Sequence, residues 1–84
     1  MFNNFIINYI RKMNFESAKI FALNFGITFS DEEIRIILPY LQENAPYLLT
    51  LRNMYKKIHI DLDDKVSVNA VNRLCLLFKK LGYL

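Results

Sequence analysis

Three aspartates within four positions, Asp61, Asp63 and Asp64, are the residues of this chain best spaced to hold a cation. A calcium loop counted from Asp61 needs Gly at its sixth position and a bidentate Glu at its twelfth, where the chain has Val66 and Asn72. The segment therefore reads as an exposed acidic turn or a helix cap. His59, the sole histidine, lies near the end of an amphipathic stretch, where a cation suits the negative end of a helix dipole. Proton-transfer or nucleophilic chemistry needs a partner side chain, and nothing in the spacing pairs His59 with the distant Cys75. Cys75 stands between Leu74 and Leu76, the setting of a buried and unreactive thiol. Gly26 and Gly82 are both placed as helix stops, which leaves no glycine for a phosphate-binding loop. These residues point to no enzyme, no cofactor and no metal.

Nucleic-acid contact is the next chemistry to weigh. Ala22 and Gly26 join two helical stretches as in a helix-turn-helix, but residues 26–30 make a turn of five where three or four are usual. The helix that would enter the groove begins Asp31, Glu32, Glu33, charges that phosphates repel. Arg52, Lys56, Lys57, Arg73, Lys79 and Lys80 are better placed for phosphate, because two helices can present them together.

The elements that must position these side chains are helices throughout. Phe2, Phe5, Ile6, Tyr9, Ile10 and Met13 recur at spacings of three and four, which predicts a helix over 2–13. Asn14 can cap the next, with Glu16 in its first turn and Phe15, Ala18, Phe21, Ala22 and Phe25 on its apolar face. Gly26 supplies the left-handed residue that ends a helix, and Ile27 the apolar contact that accompanies it. Ser30 with Glu33 has the spacing of a capping box and starts a third helix carrying Ile34, Ile37, Leu38 and Leu41. Pro39 removes the donor that would reach Arg35 and is expected to kink or split this helix near Leu38. Pro46 suits the first position of a fourth helix, with the stripe Tyr47, Leu48, Leu51, Met54, Tyr55, Ile58 and Leu62. A fifth runs from Val66 or Ser67 to Leu81, with Val68, Val71, Leu74, Leu77, Phe78 and Leu81 inward. The expected fold is all-α, a compact bundle of about five short helices in a single domain, 1–84.

The segment from Asn14 to Leu81, above all Ala22, Asn24, Phe25, Gly26, Ile27, Thr28, Phe29, Ser30, Asp31, Glu32 and Glu33, resembles a small family of helical proteins of low-GC Gram-positive bacteria. That family is known only as a domain of unknown function. The Val71, Asn72, Arg73, Leu74 run before Phe78 is similar to its C-terminal helix. The resemblance implies a bacterial source and an all-helical fold, and it carries no functional residue over.

Phe, Asn, Ile, Lys and Tyr supply 38 of the 84 residues, and all have A/T-rich codons. The net charge of +3 can therefore follow from codon usage and does not by itself imply a nucleic-acid partner. One cysteine excludes an intrachain disulfide and suits a reducing cytoplasm. The apolar stretch 2–10 is broken by Asn3, Asn4 and Asn8 and is followed, not preceded, by Arg11 and Lys12, unlike a secretory signal. No uncharged run approaches the roughly 20 residues of a membrane span. The first helix, with Phe2, Phe5, Ile6, Ile7, Tyr9 and Ile10, spreads apolar surface wider than one packing stripe requires. The expectation is a cytoplasmic, non-enzymatic module that binds a protein partner or itself as a homo-oligomer through that helix, with no membrane and no small molecule. A nonspecific nucleic-acid role through the basic faces of the last two helices is the alternative.

Overall fold

Asn14 both ends one helix connection and opens the next helix. In the computed structural model, which describes residues 2–83 without the side chain of Phe2, the Asn14 side chain accepts from the Ser17 N–H at 2.8 Å, and the Ser17 hydroxyl accepts from the Asn14 N–H at 2.9 Å. This reciprocal cap lets α1 (Phe2–Lys12) turn into α2 (Phe15–Asn24) with only two residues between them. At the far end of α2, Gly26 takes φ +77°, while the Gly26 and Ile27 N–H groups donate back to Leu23 and Ala22. That is the paired closure of a Schellman motif, and it turns Ile27 into the core, as the sequence predicts. Ser30 and Glu33 form the expected capping box, with bonds of 3.1 and 2.8 Å, and open α3 (Asp31–Leu48).

Pro39 and Pro46 both lie inside α3, which neither splits at the first nor ends before the second. Ile34, Ile37, Leu41, Ala45 and Leu48 keep helical spacing straight across both prolines, and all five are buried. The prolines are seven residues apart on the opposite, outward side, where losing a backbone donor strands no buried carbonyl. Leu48 therefore belongs to the third helix, and Pro46 does not start the fourth. After a turn in which Thr50 and Leu51 donate to Tyr47 and Leu48, α4 covers Met54–Leu62, burying Met54, Ile58 and Leu62. Asp63 and Asp64 stand exposed in the following turn, and Ser67 caps α5 (Val68–Lys80) through the Ala70 N–H at 3.1 Å. Val68 is exposed, contrary to the inward position expected. It lines up with exposed Asn72 and Lys79, while Ala70 turns inward.

The protein is an all-α bundle with α3 as its spine. α1, α2 and α4 pack on α3, and α5 packs on α4. Leu48, Ile58, Leu62, Val71 and Leu74 are the most deeply buried large side chains, drawn from α3, α4 and α5. Polar ties fix the outer helices. Gln42 donates from α3 to the Ile10 and Met13 carbonyls at the end of α1, at 3.2 and 3.0 Å. Tyr83 donates to Asn3, which in turn donates to the Leu49 carbonyl.

Candidate interaction surface

The core takes only part of α1. Ile6 and Ile10 are buried, and Ile7 and Met13 are half-buried against the same cluster. Ile7, counted in the sequence among the residues through which the first helix would bind, is thus partly taken up by the core. Phe5 and Tyr9, one turn apart on one edge of the helix, remain 69 % and 47 % exposed. Of the sequence-predicted contact residues, then, Phe5 and Tyr9 are available, Ile6 and Ile10 are committed to the interior, and the side chain of Phe2 lies outside the described residues.

The second helix extends this edge. The Tyr9 ring meets Phe21 edge-on with centroids 5.2 Å apart, and Phe21 meets Phe25 at 5.1 Å. Phe21 and Phe25 are half-buried, so their outer faces continue the apolar surface begun by Phe5 and Tyr9. Behind the row, an apolar cavity of about 50 Å³ runs between α1, α2, α3 and α5, with the partly exposed Tyr9, Phe21 and Leu81 among its lining. Ile20 and Leu23, 57 % and 60 % exposed, form a separate pair on the outer side of α2. Their exposure had a signal in the sequence, since 20–23 reads Ile-Phe-Ala-Leu and no single helix face can bury four consecutive apolar residues.

The basic residues do not gather on one face. Arg73 grips Glu33 with two nitrogens at 3.1 and 2.8 Å, donates to the Thr28 carbonyl and lies over the Phe29 ring. Lys80 donates to the Phe25 carbonyl at 2.9 Å, on the same side of α5. Lys79 leans the other way, 5.3 Å over the Tyr55 ring of α4. Lys57 pairs with Asp61 at 2.9 Å. Arg52, in the turn before α4, and Lys56, on α4, are exposed and make no hydrogen bond, ion pair or ring contact.

The remaining polar chemistry is spent within the fold. In a groove between α3 and α4, the Tyr40 hydroxyl donates to Asp61 at 2.5 Å, and this bond together with the Lys57 ammonium holds the Asp61 carboxyl below its usual range. Burial and the adjacent carboxylate push the Tyr40 hydroxyl well above the ordinary tyrosine value, so it keeps its proton. His59 Nδ1 sits 2.8 Å from Asp63, in the turn that follows α4. Cys75 is buried, and burial pushes its thiol up, away from the reactive thiolate. Among the described residues, no three His, Cys, Asp or Glu side chains come together as a metal would need, and no helix is long and apolar enough to cross a membrane. No family model, curated protein or solved structure matches this chain, so what it does has to be read from its own residues.

Proposed function

We propose that this chain is a non-enzymatic protein-interaction or self-association domain of the bacterial cytoplasm, working through the aromatic edge shared by α1 and α2. One observation carries the reading: α1 meets the needs of the core with Ile6 and Ile10, yet it keeps Phe5 and Tyr9 largely in solvent beside Phe21 and Phe25. A contiguous apolar surface on a small domain raises the risk of aggregation, and covering it with a partner removes that risk. His59, Tyr40 and Asp61 are engaged with neighbouring side chains and Cys75 is buried, which favours binding over chemistry. The nucleic-acid reading draws less support, because four of its six basic residues are already engaged with carboxylate, carbonyl or ring partners and only Arg52 and Lys56 are without one.

Site-specific photo-crosslinking in cells tests this. A photoreactive phenylalanine analogue at Phe5 should give discrete protein adducts, whereas the same group at exposed Asn72 on α5 should give none. Phe5→Asp with Tyr9→Asp, read by circular dichroism, should keep the helical signal because neither side chain is part of the buried core. Equal adducts at the two positions would remove the assignment.

A further inference from the structure

Taking the α1–α2 edge as the working surface, we infer that its occupant is an amphipathic helix of another protein, carrying acidic residues beside aliphatic anchors, rather than a second copy of this chain.

Charge selects the partner. The aromatic row is flanked by two ammonium groups, and neither α1 nor α2 places a carboxylate on that side. Lys12 lies one turn beyond Tyr9 on the same side of α1, exposed and making no hydrogen bond or ion pair. Lys80 stands at the other end, its Nζ 2.9 Å from the carbonyl of Phe25. α1 contains no acidic residue, and the one acid of α2, Glu16, is rotated about 140° from Phe21 and about 180° from Phe25 around the helix. A second copy packing the same face in two-fold fashion would bring Lys12 and Lys80 against lysines, with nothing to neutralise them. Carboxylates on an incoming helix meet both ammonium groups favourably.

Shape selects the anchor. The cavity behind Tyr9, Phe21 and Leu81 measures about 50 Å³. That is well under the roughly 150 Å³ that admits a benzene ring, so it accepts the branched tip of a Leu or Ile and rejects a phenyl group such as a second copy's Phe5. The chain's own exposed aliphatic side chains lie elsewhere, Ile20 and Leu23 on another side of α2 and Ile36, Ile60, Val68 and Leu76 on α3, α4 and α5. Inserting them into a neighbour's cavity would be a head-to-tail contact, which builds a ring or an open fibre and not a two-fold dimer. Aliphatic anchors at helical spacing on a foreign helix, set into a groove between helices, avoid both problems.

Two synthetic amphipathic peptides with the same Leu and Ile positions, one flanked by Glu and the other by Lys, test this by fluorescence anisotropy against the full chain. The Glu peptide should bind about tenfold or more tightly than the Lys peptide at about 50 mM salt, with the gap closing near 0.5 M. Lys12→Glu, which removes no hydrogen bond or ion pair, should narrow the gap or reverse it, and Phe5→Asp with Tyr9→Asp should abolish binding of both. Equal binding of the two peptides, still lost in the Phe5/Tyr9 variant, would overturn the acidic partner while leaving the interaction surface standing. A wild-type dimer in sedimentation that the Phe5/Tyr9 variant dissolves, with no peptide bound, would assign the face to a second copy. A monomer that binds neither peptide overturns the acidic partner too, and photo-crosslinking at Phe5 then decides separately whether the surface itself stands.

Discussion

Arg73 and Glu33, forty positions apart, form a two-pronged ion pair that ties α5 to the first turn of α3. The guanidinium nitrogens meet the two carboxylate oxygens at 3.1 and 2.8 Å, and one of those oxygens also accepts the Ser30 N–H at 2.8 Å. One carboxylate thus serves a helix cap and a tertiary contact together. Arg73 first, and then the Ser30 N–H, hold the Glu33 carboxyl below the 4.5 of an ordinary glutamate.

A folded-state value below the unfolded one means that the Glu33 contribution is fully present above about pH 4.5 and is lost as the pH falls through the lower folded value. With the Arg73 side chain 35 % exposed, screening keeps the pair's share near about 1 kcal/mol. Glu33→Gln should therefore lower the thermal midpoint at about pH 6, and the difference from wild type should shrink towards zero by about pH 3. Melting curves across that range check both the sign and the window.

Tyr40→Phe removes the hydroxyl that donates to Asp61 across the α3–α4 groove. We expect a loss of about 1.5 to 3 kcal/mol in urea unfolding at neutral pH, typical of a hydrogen bond to a charged group. The Asp61 carboxyl, held low first by Tyr40 and next by Lys57, should then titrate closer to 3.8. Carboxyl carbon shifts followed through an acid titration report that change directly.

Gly26→Ala should destabilise by about 1 kcal/mol, because φ is +77° there and an L side chain is strained in that region. Steric crowding is not the cause, since the nearest atom to an added Cβ is the Lys80 ammonium at 3.9 Å, an ordinary van der Waals distance. Ser30→Ala, which strips the cap from α3, should cost about 0.5 to 2 kcal/mol. Denaturant midpoints of both variants at neutral pH measure these losses.

Cys75 should resist thiol reagents in the native protein, its thiol being buried and pushed up by that burial. Labelling should speed up only with denaturant, in step with global unfolding. Rapid labelling under native conditions would mean that α5 opens locally around Cys75.

Every feature legible in the sequence is one whose partners lie within a few positions of each other. Asn14 with Ser17, Ser30 with Glu33, Gly26 with Ala22 and Leu23, and the three-and-four spacing of Ile34, Ile37 and Leu41 are local, and local geometry is much the same in any helical protein. They fix an all-α chain with a helix stop at Gly26 and a start at Asp31. What the tertiary structure decided is everything that depends on which other helix arrives. A proline inside a helix costs about 3 kcal/mol or more, and two of them argue locally for a break. The burial of Ile34 through Leu48 against the neighbouring helices outweighs that cost, so one long helix persists where two short ones are written. The same holds for the candidate surface. Six apolar residues of α1 look alike in sequence, and only the approach of α3 and α2 separates Ile6 and Ile10, taken by the core, from Phe5 and Tyr9, left exposed at its edge.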